Sequence, residues 1–320
     1  MKNIIYAFVL FSSLTMLTSC EVMEDIIPSK GGDNVGTTDT TSTGTTNPTN
    51  PTNPTTPTPA NDFINASAQD IMHDSYGPDE LQKFDIHIPA RRSPTQTKVV
   101  IILHGGSWKE LDKGFMKNYV SQIKEKGDNW VIVNANYRLT FQNGIKYDQQ
   151  IQDLGTLINK ILSMRQQYNF SDKIYLLGAS AGGHLALAYA YTVDKSKNVK
   201  GVSVIAAPTD LTSDKIRVGE FGQDIENLIG QPYGTNPDAF KRASPRFQVS
   251  KVAPPTILFY GGKDEFIPSD QGELLRQQLQ ANAVVNSYNF YPEQGHEWML
   301  LSETIDKTLV FFGDNSNAAN

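Results

Sequence analysis

A serine lies among small residues in the run Gly-Ala-Ser-Ala-Gly at positions 178–182. The apolar run 173–177 precedes it and the Ala/Leu-rich run 184–191 follows it, which predicts a strand, a tight turn and a helix. On such a turn the serine Oγ stands clear of the sheet, near the positive end of the helix, and glycine relieves the crowding two residues to either side. A loop of small residues leading into a helix would show the same spacing. The flanking strand and helix favour Ser180 as a nucleophile.

A base must take the proton of a serine hydroxyl before the oxygen can attack a carbonyl carbon. Of the five histidines, His296 lies in a loop after the last predicted strand and before a helix that starts near Ser302. The other four lie beside or within predicted strands, or on the helix that follows the serine. We therefore expect His296 to be the general base.

The base needs a carboxylate that orients its ring, and two aspartates compete for this role. Asp264 follows the strand 256–260 after a Gly-Gly pair that permits a sharp turn. Asp210 follows the preceding strand and is the alternative. The chain order Ser, Asp, His and the glycine pair favour Asp264 as the catalytic acid.

The tetrahedral intermediate of acyl transfer needs N–H donors for its negatively charged oxygen. Ala181, directly after the serine, is expected to supply one. The run His-Gly-Gly-Ser-Trp at 104–108 stands at the end of the strand 98–103, and its small residues let backbone N–H groups approach a ligand. A glycine-rich turn after a strand is common by itself. Beside the other catalytic parts, it predicts an oxyanion hole formed by Gly106, Ser107 and Ala181.

Other side chains near these groups have both a structural and a functional interpretation. Trp108 follows the predicted oxyanion donors and Trp298 follows His296 by two residues. Both are predicted to border a sugar or phenolic group of the substrate, with packing as an equally good explanation. Arg138 and Asp153 are expected to form an ion pair beneath the loops, with substrate contact as the alternative.

Strand-like and helix-length runs alternate along the folded part of the chain. This alternation predicts an α/β fold with a mainly parallel sheet and helices on both faces. The continuous apolar runs 99–103 and 130–133 fit central strands, whereas the alternating run 83–88 fits an edge or antiparallel strand. The predicted strands are 81–88, 98–103, 130–134, 173–177, 201–205, 255–260 and 284–291.

Together these motifs resemble those of the α/β-hydrolase esterases, including hormone-sensitive-lipase-like carboxylesterases and bacterial feruloyl and acetyl xylan esterases. The similarity covers about 76–301. It implies the α/β-hydrolase fold, with a loop-rich insertion at 211–252 before the acid-bearing strand. One departure is Ser107, which replaces the third glycine of the usual His-Gly-Gly-Gly. The motifs are His-Gly-Gly-Ser-Trp at 104–108, Asn-Tyr-Arg-Leu at 136–139, Gly-Ala-Ser-Ala-Gly-Gly-His at 178–184, Gly-Gly-Lys-Asp at 261–264 and Gly-His at 295–296.

The N-terminal region differs in composition from the rest of the chain. A lysine at position 2 and the apolar run 4–17 predict a signal peptide at 1–19. Leucine at 17 and Cys20 resemble a bacterial lipobox, which implies lipidation of Cys20. Residues 20–61 are rich in Thr, Pro and Asn and have too little apolar surface to fold, so they are predicted to be a disordered spacer. Residues 62–320 form the predicted catalytic domain.

Composition narrows the classes of function. Cys20 is the single cysteine, so neither a disulfide framework nor a cysteine metal site is expected. The net charge of −6 and the lack of a basic cluster beyond the pair Arg91 and Arg92 argue against a nucleic-acid partner. No metal or organic cofactor is expected, and the membrane is contacted only through the N-terminal lipid.

The sequence therefore predicts an exported serine esterase, anchored by lipid at the bacterial cell envelope, that acts on small-molecule or polysaccharide esters. Acetyl or feruloyl esters of plant polysaccharide are the expected substrates, because an exported enzyme on a long spacer suits polymers too large to enter the cell. A prolyl-oligopeptidase-like serine peptidase would use the same triad. A non-catalytic glycan-binding lipoprotein on a hydrolase scaffold is the third interpretation, and the complete triad argues against it.

Overall fold

The computed structural model describes residues 62–127, 129–142 and 144–315, which all belong to one compact unit. The predicted signal peptide, Cys20 and the predicted spacer lie outside the described residues. None of the helices in the described part is long and apolar enough to cross a bilayer.

Eight strands form the central sheet, in the order β10-β9-β8-β7-β5-β6-β3-β2. The six strands from β10 to β6 pair in parallel, and β3 and β2 extend the sheet with antiparallel pairs. A separate antiparallel pair joins β1 and β4. The strands are β1 Ile64–Asn65, β2 Gln69–Ser75, β3 Lys83–Ile88, β4 Arg91–Arg92, β5 Lys98–Leu103, β6 Trp130–Ala135, β7 Ile174–Ala179, β8 Val199–Ile205, β9 Thr256–Gly261 and β10 Asn286–Tyr291.

Helices cover both faces of this sheet. The side chains of β5 alternate between two apolar clusters, with Val99 and Ile101 in one and Val100 and Ile102 in the other, as a strand buried on both faces requires. The first cluster takes residues from α2 to α6, the second from α1 and α7. The helices are α1 Lys117–Lys126, α2 Tyr147–Tyr168, α3 Ala181–Thr192, α4 Gly219–Ile229, α5 Pro237–Ala243, α6 Asp270–Ala281 and α7 Leu301–Asp314. Short 3-10 helices span Lys113–Met116 and Pro245–Gln248.

This architecture confirms the predicted α/β-hydrolase arrangement, with small differences at strand ends. The strand predicted at 81–88 begins at Lys83 and pairs with antiparallel neighbours on both sides. One edge of the sheet is β2, which the sequence did not predict because its largely exposed, polar residues show no core-facing pattern. The segment 211–252, predicted to be loop-rich, contains α4, α5 and the second 3-10 helix between its loops.

Parallel pairing brings the predicted catalytic segments to one edge of the sheet. The ends of β7 and β8 are in register at Ala179 and Ile205, and the ends of β9 and β10 at Gly261 and Tyr291. Strand β5 ends beside β7, so the loop after Leu103 emerges at the same edge. The carboxyl ends of these strands therefore carry the loops with the predicted nucleophile, acid, base and oxyanion donors, at the edge where open α/β sheets bind ligands.

Candidate active site

Ser180 occupies the turn between β7 and α3 in a backbone conformation that is rare outside glycine, with φ 51° and ψ −121°. The surrounding glycines explain how the turn is accommodated. A Cβ on Gly178 would lie 2.5 Å from the backbone of Gly182, and a Cβ on Gly182 would lie 2.4 Å from the carbonyl oxygen of Leu103. The Ser180 N–H donates to the Ile205 carbonyl at 2.8 Å, which ties the turn to β8. The sequence thus forms the strained turn expected of a nucleophile.

Asp264 and His296 form a direct pair in which the carboxylate is completely shielded from solvent. The Nδ1 of His296 lies 2.8 Å from the Oδ2 of Asp264, whose side chain has no exposed surface. The other oxygen, Oδ1, accepts the backbone N–H groups of Phe266 and Ile267 at 2.9 and 2.8 Å. Because an ionised carboxylate only accepts, the proton lies on Nδ1 of the ring. Nε2 is then the nitrogen that can take a proton from another group.

Asp210, the alternative acid, is held by a different partner. Its Oδ2 lies 2.6 Å from Nη1 of Arg246. Its Oδ1 accepts the backbone N–H and the hydroxyl of Thr212, at 3.0 and 2.5 Å. Both oxygens of Asp210 are therefore engaged without a histidine. The geometry favours Asp264 as the residue that orients His296.

The loop after β5 lies against the nucleophile. A Cβ on Gly105 would lie 3.2 Å from the Cβ of Ser180. Three successive residues, Gly106, Ser107 and Trp108, have positive φ angles of 96°, 47° and 61°. In the part of the chain that the structure describes, the N–H groups of Gly106 and Ser107 have no protein acceptor. Ala181 is the first residue of α3, where N–H groups lack helical partners. These three donors match the predicted oxyanion hole, which stays a prediction.

A buried histidine supports this loop. His104 stacks on Tyr137, with 4.4 Å between ring centroids, and its Nδ1 donates to the Gly105 carbonyl at 2.7 Å. The Tyr137 hydroxyl donates to the His104 carbonyl at 2.8 Å. Burial lowers the pKa of His104 to about 4, so the ring is neutral at pH 7. His104 therefore has a structural role, since its contacts hold the loop that follows β5.

Trp108 does not border a substrate surface, contrary to the prediction. Its side chain is fully buried. The ring stacks on Phe221 of α4 at 5.6 Å, and its Nε1 donates to Nδ1 of His184 at 3.1 Å. The packing interpretation is correct for this residue, because α4 covers the ring.

Two aromatic residues lie close to His296 in sequence or in space. Trp298 is partly buried, and its Nε1 donates to Thr304 at 2.8 Å while its ring contacts Phe259 edge-on. Substrate contact by Trp298 stays a prediction, beside this evident packing role. Phe266, which was not among the predicted site residues, is 61% exposed, and its ring centroid lies 5.3 Å from that of His296. An aromatic residue two positions after the acid was the available signal.

Arg138 and Asp153 form the expected ion pair. Nη2 of Arg138 lies 2.6 Å from Oδ1 of the fully buried Asp153, and Nε lies 3.0 Å from both oxygens. Gln82 donates to the same carboxylate at 2.8 Å. The structural interpretation is therefore confirmed for this pair.

Among residues 62–127, 129–142 and 144–315, no group of three or more His, Cys, Asp or Glu side chains could hold a metal ion.

Comparisons with known proteins show the family of this chain. The family model described as BD-FAE matches residues 84–279, more than half of the chain. Esterase LipC of Mycobacterium tuberculosis is 25% identical over 249 residues, which are 71% of this chain and 59% of that protein. Kynurenine formamidase of Danio rerio is 31% identical over 147 residues, 45% of this chain and 47% of that protein. The chain thus spans about half the length of these two curated relatives.

A solved structure shows the same fold. The truncated form of a carbohydrate esterase from gut microbiota superposes with a TM-score of 0.68 at 20% sequence identity. The superposition covers 81% of this chain and 99% of that one. At this level of identity the likeness concerns the fold, and it extends over nearly the whole of the smaller protein.

Proposed function

Since the chain belongs to the BD-FAE family of α/β-hydrolase esterases, we propose that it hydrolyses carboxylic esters with Ser180, His296 and Asp264 as a catalytic triad. The observation that carries this proposal is the 2.8 Å contact between His296 and the shielded Asp264, in a protein whose Ser180 occupies a strained turn between strand and helix. The esterase names of the relatives support the same reaction class.

In the proposed reaction, Nε2 of His296 takes the proton of the Ser180 hydroxyl as Oγ attacks the ester carbonyl. Asp264 holds the ring in the correct tautomer and stabilises its positive charge. The N–H groups of Gly106, Ser107 and Ala181 stabilise the negative oxygen. His296 then protonates the leaving alcohol, so an acyl group remains on Ser180. A water molecule, deprotonated by His296, releases the acid and restores the serine.

Replacement of the nucleophile tests the proposal directly. Ser180→Ala should lower kcat on p-nitrophenyl acetate by several orders of magnitude, because the acyl-enzyme cannot form. Its melting temperature should stay close to that of the parent, since only one hydroxyl is lost. Ser121→Ala, on the exposed face of α1, is the matched control and should keep full activity. Residual activity of Ser180→Ala above about one percent would remove Ser180 from this role.

For the substrate, we propose acetyl or feruloyl esters of plant polysaccharide. The name of the structural relative, a carbohydrate esterase, supports a sugar ester. The similarity to kynurenine formamidase of Danio rerio makes an amide a second substrate to test. The experiment compares p-nitrophenyl acetate, acetylated xylan, methyl ferulate, an aryl formamide and a proline p-nitroanilide side by side. A preference for the proline anilide would identify a peptidase instead, and a preference for the formamide would exclude the carbohydrate ester.

We also propose that the enzyme is anchored at the bacterial envelope through lipid on Cys20. The support is the sequence from position 2 to Cys20, which has a cationic start, a short apolar run and a leucine three residues before the cysteine. Cys20→Ser should move the protein from the membrane fraction to the soluble fraction without changing activity on soluble esters. Ser19→Ala is the control. Membrane association that survives Cys20→Ser would exclude this anchor.

A further inference from the structure

His184 is a buried histidine with no assigned role, and it touches both halves of the site. It lies four residues after Ser180 on α3, and its N–H donates to the Ser180 carbonyl at 3.0 Å. Its side chain has no exposed surface. Nε1 of Trp108 donates to its Nδ1 at 3.1 Å, and its Nε2 lies 2.8 Å from the carbonyl oxygen of Ala243 at the end of α5.

These two partners determine the protonation of the ring. An indole N–H can only donate and a carbonyl oxygen can only accept. His184 must therefore be neutral, with its single proton on Nε2, in order to form both bonds. Burial lowers the pKa of His184 to about 4, in agreement with a neutral ring. A neutral ring that does not titrate near pH 7 is a poor proton carrier, but it is a permanent hydrogen-bond acceptor for Trp108.

Trp108 is the last of three successive residues with positive φ in the loop that carries the proposed oxyanion donors. Such backbone conformations persist only when surrounding contacts hold them. Around Trp108, these contacts include the hydrogen bond to His184 and the stacking on Phe221. The Trp108 carbonyl also accepts from Gln150 Nε2 and from the Thr140 N–H, both at 2.9 Å. The bond to His184 is the one that joins the oxyanion loop to the helix of the nucleophile.

We propose that His184 is a positioning residue of the oxyanion hole: it accepts the indole N–H of Trp108 and thereby holds the backbone N–H groups of Gly106 and Ser107 in the orientation that the reaction needs. This inference rests on the proposed ester hydrolysis. The bond from His184 to Ala243 anchors the ring on its other side, so that α5 contributes to the same alignment.

The expected effect is confined to the chemical step. Negative charge develops on the carbonyl oxygen of the ester as the transition state forms, so a misaligned N–H donor lowers kcat and leaves KM nearly unchanged. Complete loss of one donor lowers kcat by about 100-fold to 1,000-fold. A donor that is only tilted should cost less, about 10-fold to 100-fold in kcat.

Two amide replacements separate the two hydrogen bonds of the ring. Asn places its Oδ1 near the position of Nδ1, so His184→Asn retains an acceptor for Trp108 and loses the bond to Ala243. Gln reaches the position of Nε2, so His184→Gln retains a donor for Ala243 and loses the acceptor for Trp108. Trp108→Phe removes the same indole N–H from the other end, with His184 and Ala243 left in place.

The experiment uses the purified full chain. It measures steady-state kinetics on p-nitrophenyl acetate and the affinity for a trifluoromethyl ketone, which is a transition-state analogue. His184→Gln and Trp108→Phe should each lower kcat about 10-fold to 100-fold, keep KM within about twofold and weaken ketone binding by the same factor as kcat. His184→Asn should keep kcat within about fivefold. The double variant, His184→Gln with Trp108→Phe, should have a kcat no lower than that of either single variant, because the two substitutions remove the same hydrogen bond.

Folding is checked by thermal unfolding, and Trp108→Phe carries the test if His184→Gln does not fold. Parent-like kcat and ketone binding in Trp108→Phe would overturn the positioning role. Equal losses of kcat in the Asn and Gln variants, accompanied by equal decreases in melting temperature, would also overturn the positioning role and indicate that His184 acts only through packing. Ser180→Ala serves as the reference: if it stays active, the proposed ester hydrolysis fails and this inference fails with it.

Discussion

The loops that follow β8 and β9 each present a buried aspartate, and the two carboxylates use one oxygen in the same way. Oδ1 of Asp210 accepts the N–H of Thr212, and Oδ1 of Asp264 accepts the N–H of Phe266, in each case two residues further on. The difference lies in Oδ2, which meets Arg246 in the first loop and His296 in the second.

That difference separates a structural carboxylate from a candidate catalytic one. Arginine stays protonated at all relevant pH values, so the pair of Asp210 and Arg246 cannot transfer a proton. It instead joins the loop after β8 to the 3-10 helix that follows α5. When Nδ1 of His296 donates to Asp264, Nε2 is left as a proton acceptor, and the side chain of His296 is 28% exposed. The partner, which is distant in sequence, decides what each aspartate can do.

Removal of the negative charge from each aspartate in turn should test this comparison most clearly. Asp264→Asn should lower kcat on p-nitrophenyl acetate by about 1,000-fold to 10,000-fold, because the amide favours the wrong histidine tautomer. Asp210→Asn should lower kcat less than about 10-fold. Steady-state kinetics of both variants provide the measurement. If the two losses were reversed, Asp210 would be the catalytic acid.

Asp210→Asn should instead reduce the stability of the fold. The substitution leaves the guanidinium of Arg246 without its carboxylate, which should lower the free energy of unfolding by about 1 to 3 kcal/mol. Urea unfolding at pH 7 measures the change. Arg246→Met combined with Asp210→Asn removes the unpaired charge and should recover part of the loss. An Asp210→Asn variant as stable as the parent would show that the ion pair does not hold this loop.

Acidification should sharpen the contrast between buried and accessible histidines. Burial lowers the pKa values of His104 and His184 from 6.5 to about 4. Between these two pH values, the unfolded chain therefore binds more protons at these rings than the folded chain does. The stability that depends on these rings is complete above pH 6.5 and falls as the pH drops toward 4. Between pH 7.5 and 5.5, each ring should cost roughly 1 kcal/mol of unfolding free energy. Urea unfolding across this range should show a shallower dependence for His184→Asn, and an unchanged dependence would contradict the assignment.

The smallest expected effect concerns the aromatic residues beside His296. Phe266→Ala keeps the backbone N–H that Asp264 accepts but removes the exposed ring, so it should raise KM for acetylated xylan about threefold to fivefold and spare p-nitrophenyl acetate. Trp298→Ala should weaken activity on both substrates and lower the melting temperature, since its ring packs on Phe259. A selective effect on xylan from Trp298→Ala alone would assign the sugar contact to Trp298 instead.

Local sequence was sufficient to predict much of the fold and the elements on which the candidate site residues lie. The apolar runs of β5 and β6, buried on both faces, predicted central parallel strands. The glycines around Ser180 predicted a tight turn. The structure shows why glycine is needed there, because a Cβ on Gly178 or Gly182 would collide with nearby backbone. The order of Ser180, Asp264 and His296 along the chain, each after a strand, predicted which loops meet at one edge of the sheet.

Tertiary structure decided what neighbouring residues do with these parts. Both Asp264 and Asp210 follow strands, and only the contact with His296 or Arg246 distinguishes them. Trp108 was predicted to face the substrate, whereas packing by α4 buries it against Phe221 and His184. A residue type and its spacing specify backbone conformation over a few positions. The direction and partners of a side chain depend on elements that arrive from far along the chain, which is why the role of His184 emerged only from the folded protein.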